Sequence, residues 1–133
     1  MYIKIDLQDG EYTNDFPVVD FMNSIYDENY IWNVSYIDFV AKQNSFDNTN
    51  DSVSSIENEI NNSKPNGLFV SWKRLMLILQ SSFQIYDITI SAFKNNTEMM
   101  KFEIFDCSSI ELTTENNEVI NKFNHAVNVM RNH

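Results

Sequence analysis

Glycine and proline are nearly absent from this chain, two of each in 133 residues, and cysteine occurs once. Two glycines leave no Gly-rich loop to wrap a phosphate and no strained turn to present a serine nucleophile. A single cysteine, Cys107, excludes an intramolecular disulfide and a thiolate zinc cluster. It fits a reducing compartment, where a lone thiol behaves as a small buried hydrophobe. No apolar run approaches the roughly 18 residues of a membrane span. The opening Met1 to Asp6 alternates like a strand rather than forming the apolar core of a signal peptide. The expectation is a cytoplasmic protein with no membrane partner. Alanine is scarce too, three against nineteen asparagines, a bias that AT-rich coding would produce.

Basic residues are few, nine against nineteen acids, and their shortage is local. Residues 1 to 60 hold twelve acids and only Lys4 and Lys42, while residues 61 to 133 hold seven of each sign. The whole net charge of -10 therefore sits in the first half. A one-sided acidic field repels nucleic acid and steers a basic partner, although a net charge of roughly 2–8 also serves solubility alone. Direct nucleic-acid binding is excluded by sign. Apolar residues make up 43% of the chain, with ten Phe, six Tyr and two Trp, enough for one folded domain over residues 1–133.

Period-two alternation predicts strands at Tyr2–Leu7, Tyr30–Val40, Phe83–Phe93, Met99–Phe105 and Ser109–Thr113. In the second of these, Trp32, Val34 and Tyr36 fall on one face and Ile31, Ile37 and Phe39 on the other. Helical spacing predicts helices with Val18, Phe21, Met22 and Ile25 inward behind an Asp15 N-cap, and with Trp72, Leu75, Met76 and Leu79 inward behind Ser71. A last helix, capped by Thr114, turns Val119, Phe123, Ala126, Val127 and Met130 inward. Asp9-Gly10 and Asn95-Asn96 mark turns. Residues 42–66 form a polar, loop-rich insertion with one weak helix between Ser52 and Asn61. No βαβ rhythm or repeat is present, so the fold class is α+β, an antiparallel-dominated sheet packed with three to four helices as a single pair of layers.

Catalytic chemistry finds little material. His125 and His133 are the only histidines, one expected on a helix surface and one frayed at the terminus. Cys107 has Asp106, Ser108 and Ser109 beside it and no base to activate it. Asp47-Asn48-Thr49-Asn50-Asp51 starts like a calcium loop, but Ser52 takes the glycine's place and Asn58 that of the closing carboxylate. The expectation is no enzyme, no metal and no cofactor. Lys73-Arg74 reads as a solvated helix flank.

Acids interleaved with aromatics remain: Asp9, Glu11 and Tyr12; Asp27, Glu28 and Tyr30. Aromatic anchors within a charged rim are the build of tight protein interfaces. With Asp47, Asp51, Glu57 and Glu59 of the insertion, these residues are the candidate partner-binding set.

Val70-Ser71-Trp72-Lys73-Arg74-Leu75-Met76-Leu77-Ile78-Leu79, then Phe83-Gln84-Ile85-Tyr86-Asp87-Ile88-Thr89-Ile90, resembles the Ser/Thr-Trp helix and Gln-x-x-Asp strand of small bacterial immunity proteins paired with polymorphic or contact-dependent inhibition toxins. Phe105-Asp106-Cys107-Ser108-Ser109-Ile110-Glu111-Leu112 is similar to their closing segment. Ser91-Ala92 stands where those proteins usually carry a glycine. The resemblance implies a protein that binds and blocks one cognate toxin, frequently a nuclease. The acidic half would then be the partner-reading surface, able to raise the association rate. The alternative is a phage anti-defence protein whose acids imitate nucleic acid in a host nuclease's cleft.

Overall fold

A computed structural model describes residues 1–132; His133 lies outside them. Six strands form one antiparallel sheet: β1 (Tyr2–Asp6), β2 (Ile31–Ala41), β3 (Leu68–Val70), β4 (Ser82–Lys94), β5 (Thr97–Phe105) and β6 (Ser109–Thr114), in the order β1-β6-β5-β4-β2-β3. Four helices accompany it: α1 (Val18–Ile25), α2 (Val53–Asn61), α3 (Trp72–Ser81) and α4 (Asn117–Arg131). The protein is α+β, as its alternation implies.

Two hairpins order the centre of the sheet. Asn95 and Asn96 (φ 52° and 63°) turn β4 into β5, and Asp106 and Cys107 (φ 52° and 56°) turn β5 into β6. Two consecutive left-handed residues make the turn that matches strand twist, and asparagine adopts that conformation readily. Cys107 is therefore half-buried in a tight turn rather than sunk in the core. Its N–H donates to the Tyr86 carbonyl, and its Sγ accepts from Gln84 Nε2 at 3.3 Å.

Apolar side chains of α1, α3 and α4 pack on one face of the sheet. Phe16, Phe21, Phe102 and Phe123, all buried, meet there with ring centroids 5.5 to 6.3 Å apart. Each such ring is worth about 1.5–3 kcal/mol in removal from water. Ile37, Ile88, Ile90 and Leu112 face the same core.

Three expectations shift. Asp15 caps nothing: it ends a 3₁₀ turn (Thr13–Asp15), and Pro17 takes the N-cap position of α1 without a side-chain bond. Thr114 stays in β6 and donates to the Met99 carbonyl, while Asn116 caps α4 by accepting from Glu118 and Val119 N–H. The faces of β2 exchange midway. Val34 pairs with Ile90 but Tyr36 with Thr89, so Ser35 is an extra residue, a bulge. Trp32, Val34, Ile37 and Phe39 consequently all face the core, and Tyr36 turns to the other face. A second bulge at Tyr86 does the same on β4, putting Ile85 inward.

The polar insertion has a structural task. Beyond β3, which pairs only with Trp32 to Val34, the edge of β2 would be bare. α2, closed at its start by a Ser52–Ser55 capping box and pinned by the buried Ile56 and Ile60, covers that edge. The Asn61 amide accepts from Ile37 N–H and donates to Ile37 C=O, both at 3.0 Å, as a neighbouring strand would. Glu57 accepts from Phe39 N–H. Asn61→Ala strips both partners from a half-buried peptide and is expected to lower stability by about 2 kcal/mol in urea unfolding, whereas Glu57→Gln keeps an acceptor and changes it by less than about 0.5 kcal/mol.

Candidate partner-binding face

The acids of the first half scatter in space. Asp9, Glu11 and Tyr12 follow β1 and share a cleft with Gln84, Tyr86 and Cys107, near the start of β4. Asp27, Glu28 and Tyr30 precede Ile31, which pairs with Phe93 near the end of β4. Nine residue steps along the strand separate Gln84 from Phe93, about 30 Å at the usual rise. The two aromatic–acid clusters therefore stand at opposite ends of the sheet and form no common patch.

Several of these side chains are occupied within the chain. Glu11 accepts from Gln8 N–H at 2.8 Å and from Arg131 Nε at 3.1 Å, and these donors hold its carboxyl below the usual range. Asp51 and Glu59 both grip Arg74, at 3.0 and 2.6 Å, tying α2 to α3. Arg74 is thus a half-buried bridge and not a solvated flank, and the calcium-like loop ends in an ion pair. Glu57 is bonded to β2 as above. Asp27 accepts from Asn29 N–H, and Tyr30 packs edge-on against Trp32, its hydroxyl pKa raised chiefly by burial. Asp9, Tyr12, Glu28 and Asp47 remain exposed. Cys107 and His125 line different clefts, His125 that between α1 and α4.

A different surface gathers what the sequence disperses. α1, α3 and α4 occupy one side of the sheet, and strand register defines the other as rows of outward side chains. One row runs Phe69, Asn33, Ser91, Lys101, Thr113, Tyr2. The next runs Tyr36, Thr89, Glu103, Glu111, Lys4. Beyond it lie Asp38 opposite Asp87, and Ser109 between Phe105 and Asp6. At the other end Phe93 pairs with Ile31 and Glu98. The loop after α2 folds over one corner. Gly67 approaches Asn33 so closely that a Cβ would meet its Oδ1 at 2.2 Å, and Lys64 sits 5.4 Å from the Tyr36 ring centre.

This open face is acidic and aromatic at once. Asp6, Asp38, Asp87, Glu98, Glu103 and Glu111 oppose Lys4, Lys101 and the rim Lys64. Two pairs of acids, Asp38 with Asp87 and Glu103 with Glu111, stand directly across from one another, an arrangement that destabilises a sheet. Lys4 relieves Glu111 at 3.6 Å. Glu103 accepts from Thr89 Oγ1 at 3.4 Å, and its carboxyl pKa is raised, first by burial and then by Glu111 and Glu98, with Lys101 opposing. Tyr2, Ile31 and Phe69 are each more than half exposed on the same face. No sequence signal marks this surface, because its acids come from five strands and only the register unites them.

A carboxyl with a raised folded pKa binds protons more tightly folded than unfolded, so its contribution to stability is lost as pH climbs from the unfolded value through the folded one. Glu103→Gln is therefore expected to raise the melting temperature at neutral pH and to leave it nearly unchanged at pH well below the carboxylate range, as read by thermal melts across that window.

No helix among the described residues is long and apolar enough to cross a membrane. No known family model, curated protein or solved structure matches the chain.

Proposed function

We propose that this chain is an immunity protein of the cytoplasm that binds a basic protein toxin domain, a nuclease above all, and occludes its active cleft. The observation that carries the reading is the surplus of uncompensated acid: of nineteen acids, only Asp6, Glu11, Asp51, Glu59, Glu111 and Glu118 form ion pairs among the described residues. A folded domain carrying this much unpaired charge repels itself, and a basic partner removes the repulsion. The exposed aromatics on the same molecule supply the apolar contacts that charge alone lacks. The resemblance of the Ser71-Trp72 helix and the following strand to immunity proteins agrees with this reading.

The test is affinity capture on the immobilised full chain at low salt, followed by assay of the purified partner. The expected result is a basic protein whose activity is abolished at one-to-one stoichiometry, with an association rate that falls about tenfold or more from low to high ionic strength while dissociation changes little. A captured protein that stays fully active at saturation overturns the reading.

A further inference from the structure

We infer that the helix-free face of the sheet is the docking surface, and that its occupant is an arginine-rich surface of a basic protein. The inference rests on the basic-partner reading and goes beyond it by naming the surface and the side chain that the surface selects. Charge complementarity is the first argument. The face brings two like-charge pairs into direct cross-strand register, Asp38–Asp87 and Glu103–Glu111, a repulsion offset within the chain only in part, by Asp106 N–H donating to Asp87 and by Lys4 beside Glu111. A cation seated over each pair turns two repulsions into four attractions.

The second argument is the company these acids keep. Strand positions that face solvent ordinarily carry polar residues, yet this face exposes Tyr2, Ile31, Tyr36, Phe69 and Phe105. Lysine needs carboxylates alone, whereas a guanidinium both forks onto a carboxylate and lies flat on an aromatic ring. Tyr36 stands in the same row as Glu103, two strands away, so one arginine-bearing segment laid along that row meets both kinds of group. The protein already contains the simpler version of this contact, Lys64 over the Tyr36 ring.

The third argument is position. The face lies between the two sheet ends where Asp9 and Glu28 stand, so their field funnels a basic surface towards it without needing to touch it.

The experiment titrates the full chain with hexa-arginine at low salt and follows its backbone amide chemical shifts. Shifts concentrated on the strand rows through Glu103 and Asp87 support the inference, as does weaker binding of hexa-lysine. The double reversal Glu103→Lys/Asp87→Lys is expected to weaken hexa-arginine about tenfold or more, while Asp9→Lys/Glu28→Lys, the same change in net charge at the sheet ends, weakens it less than about threefold. Where the lysine pair disturbs folding, Glu103→Gln/Asp87→Asn carries the comparison with retained shape. Shifts centred on the turns around Asp9 or Asp27 overturn the docking face and leave the basic-partner reading standing. Equal affinity for hexa-lysine overturns the selection of arginine. Absence of binding at low salt overturns both the face and the reading beneath it.

Discussion

Four phenylalanine rings hold the two layers of this protein together. Phe16 before α1, Phe21 within it, Phe102 on β5 and Phe123 on α4 come from distant parts of the chain and touch one another in the core. Their contact fixes which side of the sheet the helices occupy. Once α1 and α4 are committed to Phe102, the outward residues of β5 and its neighbours have no helix over them, and only the loop after α2 covers the corner at Asn33. The open face is thus a consequence of where the aromatic mass is buried, and away from the corner held by Gly67 and Asn33 its chemistry is set little by packing.

Much of the architecture is legible from local pattern. Ser71 and Ser52 cap the helices they precede, Asn95-Asn96 turns a hairpin, and Phe123, Ala126, Val127 and Met130 are buried at helical spacing. The misassigned strand faces share one cause. Period-two counting assumes an unbroken ladder, and a single inserted residue, Ser35, reverses the face of everything after it. Nothing in Asn33-Val34-Ser35-Tyr36 announces a bulge, because the extra residue is set by the register against β4. The cap of α4 at Asn116 rather than Thr114 reflects a similar competition, since β6 claims Thr114 through the Met99 carbonyl.

Charge shows a sharper gap between sequence and space. The acidic first half looks like one surface, yet Glu11, Asp51, Glu57 and Glu59 spend their carboxylates on Arg131, Arg74 and the Phe39 peptide. The second half sums to zero and reads as inert. Folding separates its signs in part: Lys73, Arg74, Lys122 and Arg131 ride on helices, whereas Asp87, Glu98, Glu103 and Glu111 lie on strands and face outward, with Lys101 among them. A running total along the chain averages these away. Strand register restores them, and adds Asp6 and Asp38 from the first half to the same plane.

Such a surface sets stability against association. Two acid pairs in cross-strand register weaken the free fold, and the phenylalanine core and the α2 edge cover offset that cost from the opposite side. A ligand that binds only the folded state adds to its stability in proportion to its affinity, so a cationic partner would return what the like-charge pairs withhold. Under the proposed function, the residues that make the free protein less stable than it could be are the ones that would read the partner. On the same proposal, tight hairpins and a covered edge would serve recognition as well as stability, since a rigid scaffold presents its carboxylates to a partner at a lower ordering cost.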